Sequence, residues 1–129
     1  MNKFFTATCL GLTLLTGGTT WSGGVASTHH DAVQKAMEQH IQGLTELNSN
    51  GKYPMFDPET RSIVQLEFKE LHDSVELKGR KNQYFVSCAD FIAPDGTLYD
   101  IDFFVSMKQG VVSALVHAKG GQKSPYDVH

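Results

Sequence analysis

Two runs in which apolar and polar residues alternate, Gln83 to Ile92 and Thr97 to Met107, are separated only by Ala93-Pro94-Asp95-Gly96. Period-two runs this close together must form an antiparallel hairpin. A three-residue loop with Gly96 in the left-handed region fixes its register, pairing Phe91 with Tyr99, Ala89 with Ile101 and Phe85 with Val105. A one-residue slip would turn every apolar side chain to the wrong face. The odd-numbered residues are therefore expected to line a core. Cys88, Asp90, Asp100 and Asp102, with Val86 and Phe104, should point out of the opposite face.

The same period extends on either side. Val64, Leu66 and Phe68 alternate with polar residues, then the phase slips to Leu71, Val75 and Leu77, which places a β-bulge near Lys69 or Glu70. Val111 to Lys119 reads as the last strand, and the connectors GRK, PDG and QG are short enough to make each neighbouring pair a hairpin. A two-residue turn at Gln109-Gly110 would pair Phe103 with Val116; a three-residue KQG turn would place His117 inside.

From His29 to Asn50 the period changes to that of a helix. Val33, Ala36, Met37, Ile41, Leu44 and Leu47 form one stripe, with His40 packed on it. Lys52 to Ser62, holding two prolines, reads as a loop, and residues 120–129 as a frayed tail. The expected fold class is α+β: one long N-terminal helix packed on a four-stranded antiparallel meander sheet, in a single domain over residues 29–119.

Residues 1–28 read as a cleaved secretory leader, with Lys3 ahead of the apolar run Phe4 to Leu15 and small residues around Ala26 to Thr28. TATC ahead of Cys9 does not fit a lipoprotein signal. No second segment is long enough to span a bilayer, so the mature chain is expected to be periplasmic or secreted, with no membrane attachment. Without Lys3, ten basic residues face fourteen acidic ones, a net charge of −4. That excludes nucleic acid as the expected partner, because phosphate binding needs a concentrated positive face. KGRK, at Lys78 to Lys81, reads as a solvated loop. With Cys9 removed, Cys88 stands alone and no disulfide braces the fold.

Carried across the sheet, the registers set out three rows on the outer face. One holds His72, Cys88, Asp102 and His117. The second holds Glu70, Asp90, Asp100 and Lys119, and the third Ser74, Val86, Phe104 and Leu115. Asp102 with His117 and Asp100 with Lys119 are ordinary cross-strand charge pairs. The apolar row suits a protein partner, a homodimer or a ligand groove, or else a second small core beneath the tail or the YPMFDPE loop. An open row would leave Cys88 accessible in the free chain. A thiol beside a carboxylate is a poor nucleophile, so catalysis is not expected. The alternative is a metal site on Asp102 and His117 with Cys88 or His72; all four cannot converge across strands about 4.8 Å apart. No motif implies a cofactor.

The segments FDPETRSIVQLEF, ELHDSV, YFVSCADF, GTLYDIDFFV and LVHA resemble an uncharacterised family of small exported bacterial proteins. Their order of parts is similar to the cystatin-like or NTF2-like arrangement. The resemblance implies a helix on a curved antiparallel sheet and brings no activity with it. The Q-x-V-x-G hairpin of cystatin-type inhibitors is absent. The expectation is a small exported, non-enzymatic binding module.

Overall fold

The computed structural model describes residues 26–124 except Asn82, so the expected leader lies outside the described residues for all but its last three. Among the described residues, one helix, α1 (Ser27–Leu47), precedes seven strands: β1 (Tyr53–Asp57), β2 (Ser62–Leu71), β3 (Glu76–Lys78), β4 (Tyr84–Ile92), β5 (Leu98–Ser106), β6 (Gly110–Lys119) and β7 (Gln122–Lys123). The fold is α+β, but the sheet is not a four-stranded meander. Its order is β1-β2-β4-β5-β6-β7, with β3 also paired to β4.

The largest departure is β1. Pro54 and the neighbouring Pro58 suggested a loop, yet Tyr53, Met55 and Asp57 alternate inward while Phe56 is exposed. Pro54 is tolerated because β1 lies at the sheet edge, where a missing N–H breaks no ladder on the open side. The long strand expected before residue 78 is divided, because residues between β2 and β3 leave the ladder. There Ser87 Oγ donates to the Ser74 carbonyl at 2.7 Å, satisfying a backbone group that has no strand partner. Gln122 and Lys123, within the segment expected to fray, pair with β6.

The central register is as expected. Phe91 pairs with Tyr99, Ala89 with Ile101 and Phe85 with Val105, and Gly96 has φ +90°. The bulge falls between Phe68 and Glu70 and leaves Leu71 opposite Ala89. The helix stripe buries Val33, Met37 and Ile41 against Leu66, Phe91, Ile101, Phe103, Val105 and Val116. Removing these side chains from water supplies most of the stabilisation, roughly 1.5–3 kcal/mol for each large one.

The β5–β6 register differs from both alternatives. Ser106 pairs with Gly110 around a three-residue turn, and two irregularities then shift the ladder, giving Val105 opposite Val111, Phe103 opposite Ala114 and Asp100 opposite Ala118. Each added residue on β6 bends the strand. Contacts of α1 with both β1 and β6 agree with a curled sheet. Lys119 Nζ, on β6, reaches Asp57 Oδ2 at the end of β1 at 2.9 Å and Glu59 Oε1 at 2.6 Å, joining strands from opposite ends of the sheet order.

Candidate functional site

The outer face of β4 and β5 is not the solvated surface read from the sequence. Val86 is 1% exposed, Cys88 9% and Asp102 1%. The apolar row is rearranged too: Val86 and Phe104 remain opposite each other, but their flanking partners are Glu76 and Ser113, while Leu115 sits opposite Asp102. Tyr84, Phe104, Val112, Ser113 and Leu115 line a shallow depression of about 380 Å³ on this side.

Cys88 and Asp102 are directly opposite, as the central hairpin requires, and the thiol donates to Asp102 Oδ1 at 2.7 Å. His117 was expected opposite Asp102. It instead falls at the irregularity between Val116 and Ala118, and Nδ1 still reaches Asp102 Oδ2 at 3.1 Å. Asp102 thus stands between sulfur and imidazole. A cysteine nucleophile needs the imidazole on its own proton and the carboxylate behind the ring. Burial pushes the Cys88 thiol well above its ordinary range, and the Asp102 hydrogen bond adds to the shift. This order of groups keeps the sulfur protonated.

His72 follows β2 and is held by backbone bonds at both ends. Its N–H donates to the Cys88 carbonyl at 2.8 Å, and its carbonyl accepts from Gln34 Nε2 of α1 at 2.7 Å. The ring donates from Nε2 to Asp90 Oδ1 at 2.8 Å. Asp90 in turn sits opposite Asp100, a like-charge cross-strand pair that would be destabilising without compensation. Lys119, expected to supply that compensation, is opposite Tyr99 and bonded to Asp57 and Glu59. Asp100 Oδ1 is buried with no hydrogen-bond partner. Burial raises the Asp100 carboxyl; His72 and His117 pull it back, and Asp90 and Asp102 raise it further.

In the metal set read from the sequence, Cys88, Asp102 and His117, Asp102 stands between the other two, with one oxygen on the sulfur and the other on the imidazole. Among the described residues, the set with ligand atoms all within 4.8 Å of one another is His72, Cys88 and Asp100. Asp100 sits one row from Cys88, a diagonal neighbour that ladder partners alone do not reveal.

A second polar cluster escaped the sequence reading. Asp57, 1% exposed, accepts from Tyr99 Oη at 2.8 Å, Lys119 Nζ at 2.9 Å and the Glu59 amide at 2.8 Å. Its carboxyl feels burial most, which raises it, but the three hydrogen bonds together hold it down at about 2. A cavity of about 330 Å³ lies beside it, lined by Glu59, Val116, Lys119 and Gln122 among others. Every Asp57 oxygen is used, which marks a closing clasp rather than an open binding group. The available signal was the alternation of Tyr53, Met55 and Asp57.

No family model, curated protein or solved structure matches the chain.

Proposed function

We propose that this chain is an exported, non-enzymatic binding module whose ligand is a cation taken at the cluster on the outer face of β4 and β5. The observation that carries this reading is Asp100 Oδ1, a buried carboxylate oxygen without a hydrogen-bond donor. Asp90 and Asp102, its neighbours in the cluster, already accept from His72, Cys88 and His117. An uncompensated buried acceptor is costly, and a cation is the simplest group that satisfies it. Binding rather than catalysis follows from the Cys88–Asp102–His117 order, which offers neither an activated nucleophile nor a base next to one.

Export rests on the leader read in residues 1–28. Mass spectrometry of the exported protein should find its N-terminus between Ser27 and His30. An acylated Cys9, or export with the leader retained, would overturn that part.

For the ligand class, thermal unfolding should be followed with zinc, magnesium and spermidine chlorides at matched ionic strength. At least one cation at about a hundred times its Kd should raise Tm by about 4 °C or more, lost in Asp100→Asn. No shift with any of them at millimolar concentration would overturn the cation reading.

A further inference from the structure

The choice of cation can be narrowed, an inference that rests on the binding-module reading above. We infer that the outer face holds a site for a divalent transition metal, with His72, Cys88 and Asp100 as its protein ligands.

Three observations point there independently. The ligand atoms of the three residues lie within 4.8 Å of one another, although the residues come from three different stretches of chain. Asp100 Oδ1 is buried without a partner. His72 is oriented before any metal arrives: its backbone is fixed at both ends and its ring donates to Asp90, the carboxylate–histidine arrangement that supports metal-bound imidazoles.

The geometry needs little adjustment. Three atoms no more than 4.8 Å apart leave a point within about 2.8 Å of all three, against about 2.0–2.3 Å for zinc bonds. Side-chain shifts of about half an ångström therefore close the site. His72 offers either Nδ1, keeping the Nε2 bond to Asp90, or Nε2, releasing Asp90. Cys88 binds as thiolate, so its Sγ–H bond breaks, the proton leaves to solvent and an Sγ–metal bond forms.

The donor set selects among cations. Magnesium and calcium take oxygen ligands and would gain nothing from sulfur or imidazole. One thiolate, one imidazole and one carboxylate suit zinc, with a fourth position left for water, and cobalt(II) substitutes with the same preferences.

Cobalt(II) chloride titrated into the full-length purified protein tests the assignment, because a thiolate–cobalt bond gives a near-ultraviolet charge-transfer band. One equivalent should produce the band, and zinc chloride should remove it. Cys88→Ser should abolish it, and Asp100→Asn or His72→Asn should weaken cobalt binding at least tenfold while His117→Ala stays within about threefold. Circular dichroism of each metal-free variant confirms that it folds; His72→Asn decides the case if Asp100→Asn does not. The absence of a band overturns the proposal, as does a band that survives Asp100→Asn and His72→Asn but disappears in His117→Ala. A Tm rise with spermidine and none with zinc or cobalt sinks the metal and spares the cation module; no rise with any cation sinks both.

Discussion

Cys88 shows most clearly how a single residue changes meaning once its neighbours are placed. Read along the chain it is an unpaired thiol on an outward face, open to modification. In the folded protein it is 9% exposed and donates to a carboxylate that is itself 1% exposed. A thiol reagent at pH 8 should label the metal-free native protein far more slowly than the urea-unfolded chain; equal rates would place the sulfur at the surface. Cys88→Ser, which keeps a donor for Asp102, should cost less than about 1 kcal/mol in urea unfolding. Cys88→Val, which removes it, should cost about 1–3 kcal/mol. Equal costs would mean that the Cys88–Asp102 bond contributes little.

At the scale of elements, the parts with a local cause were legible. The α1 stripe, the loop at Gly96 and the bulge beside Lys69 follow from periodicity and turn chemistry, and all are found. What was misread depends on context beyond the segment. Pro54 forbids an interior strand and permits an edge one, and only the sheet order says which applies. Along β6, most residues are only partly buried, so alternation could not hold the register firmly. The two irregularities that move Leu115 opposite Asp102 and leave His117 off the ladder left no mark in the pattern of apolar residues.

For the whole molecule, among the described residues, His40, Asp57 and Asp100 are buried or half-buried groups that contribute to the response to pH. His30, raised by its bonds to the Asp73 carbonyl and Asp31, acts against His40. His40 packs against Tyr53 and Phe103, and burial lowers its pKa, so its contribution is present above about 6.5 and lost as pH falls below that value. Asp57 is held at about 2, so its contribution is lost only between about 4 and 2. Asp100 works the other way: its raised carboxyl opposes folding of the metal-free protein at neutral pH and is relieved as the group protonates. Urea midpoints of the metal-free protein should therefore change little around pH 6.5, where His40 and His30 oppose each other, and decline steeply below pH 4. Asp100→Asn should raise the midpoint at pH 7 and leave it nearly unchanged at pH 3. A lower midpoint at pH 7 would mean that the charged carboxylate stabilises the fold.

The sequence by itself determined the class of fold, the helix and its buried stripe, the central hairpin and its register, and therefore which residues of β4 and β5 turn away from the helix. These follow from period and turn geometry, which act over a few residues. Only the tertiary structure decided that the opposite face is itself buried at Val86, Cys88 and Asp102, that Asp57 clasps Tyr99 and Lys119, and that Asp100 converges with His72 and Cys88. The physical reason is that burial and side-chain convergence depend on sheet curl, strand irregularities and contacts across 40 or more residues of chain, and no local pattern encodes them.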